Sequence, residues 1–133
     1  MPAQRELAGV STSGTAAEWA ALMDAIASAA ADGDAVASYA LEVLSWPLAI
    51  GDNAAAYSIF AEKGGSLPGV ITEAAVIQVK GGERLTVIQL YRGLPPEVEA
   101  SVGPDFIHQQ LLALLAQDPA FLDEVAERLG TGS

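Results

Sequence analysis

The sequence predicts a helix-rich α+β domain in the order α-α-α-β-β-α-α, with one antiparallel β-hairpin over about 70–92 packed among helices. Apolar residues recur at helical spacing through 15–63 and again through 104–130. Between these stretches the chain turns to β-branched residues on both sides of Gly81-Gly82. Of the 133 residues, 51% are hydrophobic and 17% charged, a composition that buries a core in one domain. The expected organisation is an N-terminal arm (1–14), a compact domain (15–130) and a short tail (131–133). Within the domain, 15–63 is helical and acidic, 70–92 is the hairpin, and 104–130 holds two helices.

Pro2, Gly9 and Gly14 mark the arm. Thr15 and Glu18 have capping-box spacing, in which each side chain satisfies an amide left open at a helix start. Trp19, Leu22, Met23 and Ile26 then form an apolar stripe, and Gly33 is its stop. Asp34 is placed to cap a second helix with the stripe Val36, Tyr39, Ala40, Val43 and Leu44. Pro47 disfavours helical geometry at Trp46, so this helix ends near Ser45. Asp52 or Asn53 caps a third segment through Lys63, with Gly64 as its stop, although Tyr57, Ile59 and Phe60 would also suit a strand.

Gly64-Gly65-Ser66-Leu67-Pro68-Gly69 breaks the helical period. With Gly81-Gly82 as a two-residue loop, Lys80 faces Glu83, Val76 pairs with Val87, Ile77 with Thr86, and Ala75 with Ile88. Both faces of the hairpin then carry apolar groups, so it is expected to be covered on both sides by helices or by a second copy of the chain. A short turn is expected near 97–100. Pro104 opens a helix with Ile107, Leu111, Leu114 and Leu115 on one side and Leu112 at its edge. Asp118-Pro119 opens the last helix, with Phe121, Leu122, Val125 and Leu129 as its stripe and Gly130 as its stop.

Composition narrows the function. The chain has no Cys and one His, and no basic residue lies between Arg5 and Lys63. Eight carboxylates fill that gap: Glu6, Glu18, Asp24, Asp32, Asp34, Glu42, Asp52 and Glu62. Net charge is −11, and the six basic residues are dispersed. Binding to phosphates or to anionic membranes needs clustered Lys and Arg, so neither nucleic acid nor membrane is an expected partner. No apolar run approaches the roughly 18 residues of a membrane span, and Met1 to Ser13 lacks a signal-peptide pattern, which leaves the cytoplasm as the expected compartment.

The candidate chemical groups have structural readings. His108 sits one turn into its helix with Asp105 at i−3, lacks a nucleophile motif, and is read as a surface or half-buried residue. Asp32-Gly33-Asp34 resembles the start of a calcium loop, but Val36 and Ala37 stand where a ligand and a glycine are needed. The Gly64–Gly69 stretch precedes a strand, whereas a phosphate loop opens a helix. Glu42 lies among Leu41, Val43, Leu44 and Trp46, yet falls on the polar side of its helix with Ser38 and Ser45. No catalytic residue, metal or cofactor is predicted.

An alternative fold is winged-helix-like, with 52–63 as recognition helix and Gly81-Gly82 as wing tip. That helix lacks the basic and amide residues of a groove reader, so the alternative implies protein contacts rather than DNA. The expected function is a non-enzymatic, acidic protein-interaction or assembly module, acting by self-association or through a protein partner, for which a basic one is suited. Ile77, Val79, Val87, Ile88, Leu111, Leu114 and Leu115 are the candidate self-interface. Two alternatives are a structural subunit of a virion or similar large assembly, and a small-ligand-binding domain with an aromatic pocket of Trp19, Tyr39, Trp46, Tyr57 and Phe60.

Overall fold

The computed structural model describes residues 14–102 and 107–130. Helices α1 (Ala16–Ala31) and α2 (Ala35–Leu44) lead through a 3-10 turn (Trp46–Ala49) and a one-turn α3 (Asn53–Ala56) into a sheet. Strands β1 (Tyr57–Leu67), β2 (Val70–Val79) and β3 (Arg84–Arg92) form an antiparallel meander with β2 in the centre. Helices α4 (Pro96–Val102), α5 (Ile107–Gln117) and α6 (Pro119–Arg128) follow. The α+β class and the hairpin over 70–92 stand as the sequence predicts. The expected arm (1–14) apart from Gly14, the helix start at Pro104 and the tail at 131–133 lie outside the described residues.

Local chemistry sets the helix ends. The Glu18 amide donates to Thr15 Oγ1 at 3.2 Å, and the Thr15 amide donates to Glu18 Oε2 at 2.7 Å, which closes the capping box. The Thr15 amide, and then its hydroxyl, hold the Glu18 carboxyl below its ordinary range. Asp34 Oδ1 accepts from the Ala37 amide at 2.8 Å. Asp118 Oδ1 accepts from the Ala120 and Phe121 amides, and Pro119 takes the first turn where no amide is missed. Gly33 leaves α1 with φ +89°, a conformation that a side chain would strain.

Both faces of β2 are buried. Ala74 and Val76 pack on Met23 and Ala27 of α1, with Leu41 and Leu44 of α2, Ile59 and Ile88 at the margin. Ala75 and Ile77 pack on the other side against Tyr57, Phe60 and Leu112 of α5. Tyr57 and Phe60 meet edge to face, with ring centroids 5.0 Å apart. The sheet is thus covered on both sides by the chain's own helices.

Three expectations are corrected. Residues 52–63 do not form a third helix: one turn forms at Asn53–Ala56, and from Tyr57 the chain is strand. Pairing with β2 from Tyr57 to Leu67 satisfies the backbone and buries Tyr57, Phe60 and Ala61, which outweighs the helix preference of the Ala run. The strand passes through Gly64-Gly65, and the turn falls at Pro68-Gly69. A winged helix therefore has no recognition helix at this place.

The hairpin register differs by one residue. Val76 pairs with Thr86, Ile77 with Leu85 and Ala75 with Val87. Four residues, Lys80 to Glu83, connect the strands, closed by the Gly82 amide donating to Val79 O at 2.9 Å and by Gln78 Nε2 donating to Gly82 O at 2.9 Å. Lys80 Nζ donates to Ala54 O at 2.7 Å rather than facing Glu83. A one-residue slip exchanges faces, so Val87 joins the α5 side and Ile88 the α1 side.

The phase of α2 also differs. Leu41 and Leu44 meet the core, while Val36, Tyr39 and Val43 are exposed. Of the residues expected to form a self-interface, Ile77 and Leu115 are buried within the chain, and Val79, Val87 and Ile88 pack half-buried against its two cores. Leu111 is half-buried, and Leu114 is exposed.

Replacing Ile77, which is fully enclosed, with Asp is expected to unfold the domain, because an unpaired buried charge costs several kcal/mol. Leu114→Asp at the surface is expected to change stability by less than about 1 kcal/mol. Urea melts followed by far-UV circular dichroism compare the two.

Candidate functional site

The sheet face beneath α5 changes character from rung to rung. Phe60, Ile77 and Leu85 make an apolar rung; Glu62, Ala75 and Val87 come next, then Gly64, Glu73 and Gln89, then Ser66, Ile71 and Tyr91. The register thus gathers Glu62, Glu73 and Gln89 at one end of the face. Helix α5 matches this gradient. Leu112 covers the apolar end, and one turn earlier His108 and Gln109 reach the polar end.

Glu62 and Glu73 are 2% and 3% exposed, so each needs internal partners. Gln109 Nε2 donates to Glu62 Oε1 at 2.8 Å. His108 Nε2 lies 2.9 Å from Glu73 Oε1. On the neighbouring strand, the Tyr91 hydroxyl donates to Gln89 Oε1 at 3.2 Å. Glu73 also hydrogen-bonds the Glu62 side chain, and two carboxyl groups in contact require a proton between them. Burial, the Glu62 hydrogen bond and the Glu62 charge push the Glu73 carboxyl up to about 8, against a smaller pull from Lys63. Glu73 therefore carries the shared proton at neutral pH. Its Oε2 meets no protein donor.

Gly64 makes room for this arrangement. A Cβ at Gly64 would come within 2.8 Å of Glu73 Oε2, and one at Gly65 within 2.8 Å of Thr72 Oγ1. Glycines inside a strand here mark close approach of a neighbouring side chain. The opposite edge of β1 is pinned by Trp46, whose Nε1 donates to Glu62 O at 3.3 Å.

A cleft of about 400 Å³ opens over this end of the sheet. Gly64, Gly65 and Ser66 line it from β1, Glu73 from β2, Glu99 from α4, and His108 and Gln109 from α5. Glu99 is held by the Gly69 amide, which donates to its Oε2 at 2.9 Å. Beside the cleft lies an apolar hollow of about 160 Å³ among Tyr91, Leu94, Val98, Val102, Ile107 and Leu111. Ile71 and His108 border both spaces.

The aromatic pocket expected from the sequence does not assemble. Tyr57 and Phe60 are in the α5-side core, Trp46 lies at the outer edge of β1, Tyr39 is exposed, and Trp19 is half-buried on α1. His108 is largely enclosed, and its carboxylate partner in the structure is Glu73; the expected partner, Asp105, lies outside the described residues. Glu42 is exposed on α2. Sequence reasoning missed the Glu62–Glu73 pair. A readable signal was Glu73 itself, the single ionisable residue in the apolar run Val70–Val79. Among the described residues, no group of three or more His, Asp or Glu is placed to hold a metal ion, and no helix is long and apolar enough to cross a membrane.

The raised Glu73 pKa gives stability a defined pH dependence. The folded state holds this proton more tightly than the unfolded chain does. The stabilisation is complete below the ordinary carboxylate pKa of about 4.5 and is lost as pH rises through about 8. Glu62, His108, Glu99 and Lys63 are the charged or titratable groups around it. Glu73→Gln keeps a donor toward Glu62 without a titrating proton. Urea midpoints between about pH 5 and pH 9 are expected to fall more steeply for the native protein than for this variant; equal slopes would exclude Glu73 as the group responsible.

Comparison of the chain with protein-family models, curated proteins and solved structures returns no match.

Proposed function

We propose that this protein is a small-ligand-binding module, and that the ligand sits in the cleft over Glu73 with an apolar portion in the adjoining hollow. The supporting observation is the wall of the cleft: the buried carboxyl of Glu73, backed by Glu62 beneath, and a histidine beside it line a hollow of about 400 Å³. Burying such groups costs several kcal/mol, and packing alone favours apolar residues of similar size. Perturbed carboxyl groups at a cleft are the usual sign of a functional site. The role proposed is binding rather than turnover. Glu62 is tied to Gln109 and Glu73 to His108, while Glu73 Oε2, buried beside Gly64 in the cleft wall, has no protein partner.

Hexylamine, 1-hexanol and hexanoate each present a polar head and a short apolar chain. At millimolar concentration at least one is expected to raise the melting temperature, and Val98→Trp, which fills the hollow from α4, is expected to abolish that rise. No shift with any of the three would overturn the proposal.

The outer face of α2 favours a second reading, as a protein-interaction module. Val36, Tyr39 and Val43 stand at i, i+3 and i+7 and are 79%, 68% and 58% exposed. Asp32, Asp34 and Glu42 accompany them, in a stretch without Lys or Arg. Such a stripe suits the apolar face of a basic amphipathic helix from a partner protein. A Leu/Lys amphipathic peptide is expected to bind in a salt-sensitive way and to lose at least tenfold affinity against Val36→Asp/Val43→Asp, read by fluorescence anisotropy. Equal binding of the Leu/Glu counterpart, or no effect of the double variant, would exclude this partner.

A further inference from the structure

Charge decides what the cleft accepts. Its lining includes the carboxyls of Glu73 and Glu99 and, among the described residues, no Lys or Arg. An anionic head would meet two acidic groups there. Lys63, whose charge reaches Glu73, is exposed, and its Nζ donates to Gly64 O. A neutral hydroxyl could donate to Glu73 Oε2 but would leave the charge of the carboxyl pair unchanged. An ammonium group brings three donors and a full positive charge. Glu73, whose Oε2 is buried without a protein partner, and Glu99 both line the cleft that would receive it. The adjoining hollow is built from aliphatic side chains and Tyr91, so the rest of the ligand is apolar.

We propose that the cleft binds a small primary amine with an apolar tail, whose ammonium group takes the place of the Glu73 proton as the positive charge beside that carboxyl. The proposal rests on the ligand-binding reading above. The exchange balances. The O–H bond of Glu73 breaks, its proton passes to solvent, and the ammonium keeps its three protons. One positive charge enters the cleft as one leaves, so the net charge around Glu73 is unchanged. Glu73 holds its proton at neutral pH because of burial and Glu62, so the proton is present to be displaced. His108, hydrogen-bonded to Glu73 Oε1 and bordering both spaces, keeps the carboxyl oriented while the exchange occurs.

Isothermal titration calorimetry of the full chain with hexylamine tests this, in phosphate and in Tris at neutral pH. The observed enthalpy is expected to differ between the buffers by the heat of taking up close to one proton per amine bound, and the difference is expected to vanish above about pH 9. Hexylamine is expected to bind at least tenfold more tightly than 1-hexanol or hexanoate. Glu73→Gln, with its far-UV spectrum unchanged, is expected to lose the proton release and at least tenfold in affinity. The buffer dependence of the native protein needs no variant, so it decides the matter even if Glu73→Gln misfolds. Hexylamine binding without buffer dependence would overturn the amine exchange. Tighter binding of 1-hexanol or hexanoate, blocked by Val98→Trp, would overturn the amine assignment and leave the ligand-binding reading standing. Binding of none of the three would overturn both.

Discussion

The central strand must serve two cores at once, and the rest of the molecule follows from that. Successive residues of a strand point to opposite faces. In β2 this sends Ala74 and Val76 to α1 and Ala75 and Ile77 to α5. From Glu73 to Ile77 every residue of β2 is buried, so a polar residue there must find its partners inside the protein. Ile71, Glu73, Ala75 and Ile77 share the α5 side through their strand partners. Glu73 therefore has to be neutralised where it lies. The chain meets this need with a proton shared with Glu62, a histidine from α5, and a glycine on β1 that leaves space for the carboxyl.

Features decided within one turn of chain were legible in the sequence. Thr15 with Glu18, Asp34, Asp118 with Pro119, and the stops at Gly33 and Gly130 all stand where local rules put them. Features decided by distant partners were not. Asn53 to Ala56 favour a helix locally, but Tyr57 onward gains a ladder with β2 that no local rule can weigh. Gly81-Gly82 is compatible with more than one loop length. The choice of the longer loop goes with Gln78 reaching Gly82 and Lys80 reaching Ala54, and the second of these contacts is far away in sequence. On α2, Val36, Tyr39 and Val43 form as good a stripe as Leu41 and Leu44. The docking of the helix onto Ala74 and Val76 decided between them.

The site was half legible for the same reason. Glu73 stands out in an apolar run, and a charged residue in a strand with two buried faces is a warning that needs no structure. Glu62 gave no such warning while its segment read as helix. Gly64-Gly65 read as a connector because glycines usually break structure, whereas here they are strand residues that admit neighbouring side chains. The pairing itself depends on register. Glu62 stands opposite Ala75, and Gly64 opposite Glu73, so the two carboxyls meet diagonally across a position with no side chain. A bulkier residue at Gly64 would occupy the space that the Glu73 carboxyl fills.

The protein's acidity explains why a proton, rather than a cation, holds the pair. A chain of net charge −11 has few bases to spend, and Arg84 and Arg128 are engaged at the surface with Asp24 and Glu124. Surface pairs of that kind contribute about 1 kcal/mol or less. A cation built into the buried site would have paid its own desolvation cost, and the proton avoids it. Glu73 and Ala74 are neighbours in sequence, yet one borders the cleft under α5 and the other packs in the layer of α1 and α2. The acidic helical layer and the cleft are thus two faces of one strand. The constraint that forces Glu73 inward on one side is the same one that seats Leu41 and Leu44, and so turns Val36, Tyr39 and Val43 outward, on the other.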